Sequence, residues 1–338
     1  MRDLRRLPKV DLHVHFQGSV RVATLRDLAA QHGGELPPGL DGDRYAWNDF
    51  FDFLSQYGIV SRAIREPDDY RRVAREICED LAGEGVRYAE VTLTVVGHAL
   101  AHGDWHSPIS AALDGFDEGF EVTGTRCRLV LDHVRGFPIE YAQQTLDAAL
   151  AFRDRGVVAL GLGGPEAQSG APVAEVFRRA LDEGLHSVPH AGEAEGPHSI
   201  REALDELGAE RIGHGIRVLD DPALTDELRE RAIPLEVCPT SNVALRLVPS
   251  LEEHPLPRLL DAGLVVTLNS DDPAMFSSHV SGEYEAARRV FGFTDETLAG
   301  LARNGVRASF ADDDLKAELE QDIAAWLASP VGDASASG

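Results

Sequence analysis

The chain has 338 residues, 43% of them hydrophobic, and a formal net charge of −25, with a mean hydropathy of −0.18. That is enough apolar material for a large core, while the acidity argues against a nucleic-acid or anionic-membrane surface. No run approaches the roughly 20 apolar residues of a membrane span, the first residues lack a signal-peptide core, and Cys78, Cys127 and Cys238 form no CxxC pair or disulfide framework.

A cytoplasmic protein is therefore expected. The first pattern is Lys9 to Ser19, KVDLHVHFQGS. Val10, Leu12 and Val14 alternate with Asp11, His13 and His15, which reads as a β-strand. Residues two apart project to the same side, so the two histidines point together from the strand's end. Such a pair can grip a borderline metal such as zinc, but HxH also occurs in ordinary strands. Its weight depends on ligands further along.

Val20–His32 reads as a helix, followed by the loop GGELPPGLDGD. Trp47–Arg65 and Asp68–Ala82 read as amphipathic helices, the second with Pro67 ahead of it. The aromatic residues Trp47, Phe50, Phe51, Phe53 and Tyr57 are expected mainly to pack in a core, with a lid over a pocket as the alternative. Strands are then expected at Val86–Val95, Arg126–His133, Val157–Leu162, Leu185–His190, Arg211–His214, Ile233–Cys238 and Leu264–Asn269. Helical patterns lie between most of them: Ile109–Glu121, Ile139–Arg153, Pro172–Asp182, Ser199–Leu207, Asp221–Arg231 and Leu256–Ala262. Glu283–Phe291, Asp295–Arg303 and Leu315–Leu327 read as terminal helices. The rhythm is that of a (β/α)8 TIM barrel, with a helical insertion after strand 1 and extra C-terminal helices. It forms one domain over residues 1–328, and the small polar end 329–338 is expected to fray.

Barrel active sites sit where strands end, so polar residues there carry the chemistry. Strand one closes in His13 and His15. Strand five runs into PHAGE, with His190 and Glu193; strand six into RIGHG, with His214; strand eight into LNSDDP, with Asp271 and Asp272. Each alone has a structural explanation, as a core histidine or a turn aspartate. Together on one rim they describe a catalytic metal site: three imidazoles and a carboxylate, with a position left for water. Asp271 is the better-placed ligand. Asp272 or His214 is then the base for the water, and Glu193 the acid for the substrate.

The motifs KVDLHVHFQGS, GLGLGGPE, PHAGE, RIGHG, LEVCPTSN and VTLNSDDPAMF span nearly the whole chain in order. In them the sequence resembles the adenosine deaminase family of metal-dependent aminohydrolases. The resemblance implies one zinc ion per chain held by His13, His15, His190 and Asp271. It implies Glu193 as the acid that protonates purine N1, and His214 and Asp272 as the residues that orient and activate water. Gly164 matches the family's glycine whose backbone N–H meets purine N3. Lys9 and Lys316 are the only lysines, and neither stands at a strand end where a carbamylated lysine would bridge two metals. The HxE and PCxxC signature of cytidine deaminases is absent.

Two departures bear on substrate. Gln17 stands two residues after the second histidine, where adenosine deaminases have the aspartate that bonds the ribose 5′-hydroxyl. Pro165 follows Gly164, where they typically have an acidic residue. A neutral amide removes repulsion against an anionic 5′ substituent, as in the 6-aminodeoxyfutalosine deaminase branch, whose purine nucleoside substrate carries a benzoate there. On that reading Gln17 lies at the pocket mouth, and Arg135, His98, His102 and His106 are candidates to meet the benzoate. The spacing of those three histidines resembles a helix stripe, although Gly103 and Pro108 speak against a regular helix. Adenosine deaminase and adenine deaminase are the alternatives.

Overall fold

A computed structural model of the protein describes residues 1–330; of the end expected to fray, 331–338 lie outside the described residues. Eight strands form the barrel: β1 (Lys9–His15), β2 (Val86–Leu93), β3 (Arg126–Val134), β4 (Val157–Gly163), β5 (His186–Ala191), β6 (Ile212–His214), β7 (Leu235–Val237) and β8 (Val266–Leu268). They pair in parallel in sequence order. Past the end of β8 the chain returns to β1. The Leu12 N–H donates to Asn269 Oδ1 at 3.0 Å, the Asp271 N–H donates to the His13 carbonyl at 2.9 Å, and the His15 N–H donates to the Asp271 carbonyl at 2.8 Å. Those two backbone bonds fix Asp271 beside both histidines of β1.

β6, β7 and β8 are shorter than their apolar runs. Pro234 cannot donate to a ladder, which delays β7. β6 stops at His214, whose φ is +63°, and Asp271 beyond β8 has φ +64°. This left-handed conformation is uncommon for residues other than glycine and concentrates at functional sites. At both places it turns a side chain out of the ladder toward the barrel mouth.

The expected helices are present with shifted ends. Phe50–Ala63 starts after Asp49, whose carboxylate caps the Asp52 N–H, so Trp47 precedes the helix. Pro67–Gly83 and Ser107–Thr123 pack on the outside of β2 and β3. The stretch holding His98 and His102 is a helix after all, Val96–His102. Gly103 ends it in the left-handed conformation, and Pro108 sits in the first turn of the next helix. Both residues punctuate helices here. A short helix, Pro239–Ala244, follows β7; its PTSN sequence carries no periodic signal. Val280–Phe291, Asp295–Ala308 and Asp313–Ala328 complete the described chain. Among the described residues no helix is long and apolar enough to cross a membrane.

At the opposite pole, the Lys9 ammonium donates to the carbonyls of Leu4 and Leu7 at 2.6 and 2.8 Å. Burial lowers its pKa to about 7. This lysine closes the barrel floor, away from the strand ends that face the cavity.

Candidate active site

The strand ends at one pole surround a cavity of about 590 Å³, within the range of small-molecule sites. His15 (β1), His190 (β5), His214 (β6) and the Asp271–Asp272 pair line its floor with Glu193, and Gly163 and Gly164 at the end of β4 line its wall. His13, also from β1, is buried beneath them. The helix Phe50–Ala63 overhangs the cavity with Phe50, Phe53, Leu54 and Tyr57. Phe53 also stacks with Phe276, and Trp47 packs edge-on against both. One aromatic cluster thus serves as core on one side and roof on the other.

The donor atoms converge. His15 Nε2 lies 3.2 Å from His190 Nε2 and 3.4 Å from Asp271 Oδ1, and His13 Nε2 lies 3.7 Å from that same oxygen. Ligands of a tetrahedral zinc, each about 2.1 Å from the ion, are about 3.4 Å from one another. His13, His15 and His190 form one group of possible ligands, and Asp271 joins His13 in a second and His15 in a third. The four residues fit one metal ion on chemistry as well as spacing. Burial pushes His15 down to about 4 and His190 well below the ordinary imidazole range, which keeps both neutral, the form that binds metal. Burial opposes charge on Asp271, but the surrounding imidazoles outweigh it and hold the carboxyl below its usual value. His13 Nε2 is buried without a hydrogen-bond partner among the described residues.

Further residues orient these donors. His13 Nδ1 is 2.9 Å from Glu236 Oε2, and His190 Nδ1 is 3.0 Å from the Leu162 carbonyl. In each ring the other nitrogen is left facing the cluster, the usual arrangement around a metal. Asp271 Oδ2 accepts from the Ser241 hydroxyl at 2.5 Å. Gly213 makes room for the set: a Cβ there would stand 2.9 Å from His13 Cε1 and 3.1 Å from His190 Cα.

Glu193 and Asp272 flank the donors. Glu193 Oε1 is 3.6 Å from His214 Nε2 and 3.4 Å from the Asn242 amide. Burial, reinforced by Asp271 and Glu166, raises its pKa well above the usual carboxylate range. The Glu193 backbone is fixed by Glu166, whose carboxylate accepts N–H bonds from Glu193 at 3.0 Å, Ala194 at 2.5 Å and Glu195 at 2.9 Å. Burial and then the adjacent Asp271 carboxylate likewise push Asp272 upward, and its Oδ1 has no partner among the described residues. It presses on Gly18, where a Cβ would come within 1.8 Å of Oδ1. His214, pushed down to about 3 chiefly by burial, is a neutral base or hydrogen-bonding group.

Two specificity expectations change. Gln17 is fully buried behind the cavity: its amide donates to the Thr94 carbonyl at 2.9 Å, and its carbonyl oxygen accepts from Tyr57 OH at 3.2 Å. It therefore acts on the cavity through Tyr57 and Thr94. Arg135 does line the cavity, but its guanidinium donates to the carbonyls of Gln168 at 3.0 Å and His190 at 2.8 Å. Those bonds buttress the wall and hold the guanidinium there, with Nε left without a partner among the described residues. His98, His102 and His106 lie outside the cavity lining. Asp132, Glu236 and Asn242 also stand at the site without having been expected there. The first two were detectable as acids interrupting the apolar runs RLVLDHV and IPLEVC; Asn242 stands in a motif with no such contrast.

The sequence profile of the adenosine deaminase family matches residues 8–326. An aminodeoxyfutalosine deaminase of Streptomyces coelicolor is 43% identical over 335 residues, covering 96% of this chain and 86% of that protein. Among solved structures, an adenine deaminase from Arthrobacter aurescens superposes with a TM-score of 0.90 at 32% identity, covering 95% of this chain and 99% of its own. An amidohydrolase from Burkholderia ambifaria with bound zinc superposes with a TM-score of 0.85 at 27% identity, covering 96% and 94%. Barrel, strand-end donors and whole-length similarity agree: the chain belongs to the adenosine deaminase family of hydrolytic deaminases.

Proposed function

We propose that the protein is a zinc-dependent deaminase of an adenine nucleoside, with one ion held by His13, His15, His190 and Asp271. The observation that carries this reading is the convergence of those four donors beside a buried carboxyl, Glu193, whose pKa burial raises. When bound, the metal supplies Lewis acidity that makes water a nucleophile near neutral pH. The chain's own groups do the rest. Glu193, steadied by Asn242 and Glu166, gives its proton to purine N1 and draws electrons from C6. His214 and Asp272 orient the attacking water and receive its proton, and they face the oxygen where charge develops. The proton taken from water passes to the C6 amino group, which leaves as ammonia, and the new hydroxyl returns its proton to the Glu193 carboxylate, giving the 6-oxopurine. The Gly164 N–H meets N3 and sets the ring's register.

The proposed substrate carries an aryl carboxylate at the 5′ position, as 6-aminodeoxyfutalosine does, and the product then enters menaquinone biosynthesis. The similarity to the S. coelicolor protein supports this, and so does the cavity. Its outer part is aromatic, with Phe50, Phe53 and Phe137, and Arg62 stands at the edge. Arg62 is exposed and takes over the cationic role first given to Arg135. The likeness to an adenine deaminase keeps the free base as the competing substrate. The deciding measurement is kcat/KM for 6-aminodeoxyfutalosine, adenosine and adenine, followed by loss of the adenine absorbance. A ratio well above ten over adenosine supports the aryl-carboxylate reading. A ratio at or below one makes the protein an adenosine deaminase, and a preference for adenine makes it a base deaminase.

A further inference from the structure

Among the described residues Asp132 is the one cavity-lining acid with no place in the chemistry above. It stands on β3, is 3% exposed, and lines the cavity with Thr94 and Tyr57. Its Oδ1 has no hydrogen-bond partner among the described residues. A buried carboxylate oxygen left unpaired is costly, and an apolar side chain would fill the position without that cost. The neighbouring strand has been cleared for it. A Cβ on Gly161 would stand 3.2 Å from Asp132 Cβ, and a Cβ on Gly163 would stand 3.0 Å from Asp132 Oδ2. The carboxylate therefore lies against Gly163, one residue before Gly164. It belongs to none of the possible metal-ligand groups.

Purine geometry gives this position a meaning. N3 and N9 are bonded to the same carbon, so whatever group meets N3 is next to the sugar on N9. The reacting C6–N1 edge lies across the ring. With Gly164 at N3 and Glu193 at N1, the sugar starts beside Gly163, against which the Asp132 carboxylate lies with Oδ2. Neutral hydroxyl donors suit that acceptor, and an anion would be repelled.

We propose that Asp132 is a specificity residue that accepts hydrogen bonds from the ribose 2′- and 3′-hydroxyls and makes the enzyme select nucleosides over free base. This rests on the nucleoside reading above. It complements the 5′ end: the vicinal hydroxyls are read by a carboxylate deep in the wall, and the 5′ substituent extends toward the aromatic roof.

The test is kcat/KM of wild type, Asp132→Ala and Asp132→Asn on adenosine, 2′-deoxyadenosine, 3′-deoxyadenosine and 2′,3′-dideoxyadenosine, with zinc content measured in each preparation. A hydrogen bond to a charged acceptor predicts that wild type loses about 10- to 100-fold from adenosine to the dideoxy analogue. Asp132→Ala should lose a similar factor on adenosine and then discriminate the two by less than threefold, with zinc unchanged. The proposal is overturned if wild type treats all four nucleosides alike, or if Asp132→Ala still discriminates as wild type does. The wild-type series decides alone should the variants fail to fold. If wild type deaminates adenine and no nucleoside, the nucleoside reading falls and takes this proposal with it; a flat nucleoside series removes only the role of Asp132.

Discussion

Two buried ionic clusters sit one above the other in this barrel, and they differ in how well they are satisfied. In the lower one Arg211 bridges Glu90 and Glu236; its Nε is 2.5 Å from Glu236 Oε1. Arg211 also donates to the Ala308 carbonyl at 2.9 Å and lies 4.0 Å over the Phe310 ring. Glu90 Oε1 takes the Phe310 N–H at 2.7 Å. Every charged atom of this triad has a partner. In the upper cluster His13 Nε2 and Asp272 Oδ1 have none among the described residues, and burial, reinforced by neighbouring acids, raises Glu193 and Asp272. Burial of charge is common to both. Unmet bonding capacity belongs to the upper cluster alone, and that capacity is what a metal and a substrate would satisfy. Glu236 joins the two, with one oxygen on Arg211 and the other on His13.

Substitutions on either side of Glu236 should therefore separate folding from chemistry. The largest effect on turnover is expected from Glu193→Gln, which cannot protonate N1: activity should vanish while zinc content stays at one per chain. Retained turnover would remove Glu193 from the acid role. Asp271→Ala should also abolish activity, but by losing the metal, and full zinc occupancy in that variant would refute its assignment as a ligand.

Glu90→Gln probes the lower cluster. Removing one partner of a buried ion pair costs on the order of 3 kcal/mol, so denaturant unfolding should report that loss while zinc content is retained. Glu236→Gln should show both faces, with a stability loss and a roughly 10- to 100-fold drop in zinc affinity through His13. Stability loss with unaltered zinc affinity would mean that Glu236 serves only Arg211.

The smallest and most specific expectation concerns pH. As the proposed acid Glu193 must be protonated, and burial raises its pKa in the fold. Activity through this group is thus present below that pKa and lost as pH rises through it. A kcat/KM profile with an alkaline limb starting only where a hydroxide-sensitive group elsewhere titrates would break this assignment.

How legible was this molecule from its sequence? Strong periodic segments such as Pro67–Gly83 and β2–β4 were readable within a residue or two, because their burial pattern is written locally. Short β6–β8 were placed to the same one or two residues but read too long, and the helix Pro239–Ala244 was not read. Their limits are set by left-handed turns at His214 and Asp271 and by proline positions, and not by apolar run length. The candidate metal donors were legible because strand parity and strand ends are local properties, and the three ends that carry them point to one rim once a barrel is assumed. Gln17 and Arg135 were legible as identities, but not as contacts. One is turned behind Tyr57 and the other is spent on two carbonyls, and no local signal encodes which neighbour a long polar side chain will find.

The sequence by itself determined the barrel, the donor chemistry and the family, since each follows from residue type and spacing along the chain. Only the tertiary structure decided which buried charges are satisfied and which are free. It set Glu236 under His13, spent Arg135 on the wall, and left Asp132 lining the cavity with Oδ1 unpaired among the described residues. Satisfaction is a property of neighbours distant in sequence, such as Glu236 and His13 at 223 residues apart, and it exists only once the barrel has closed.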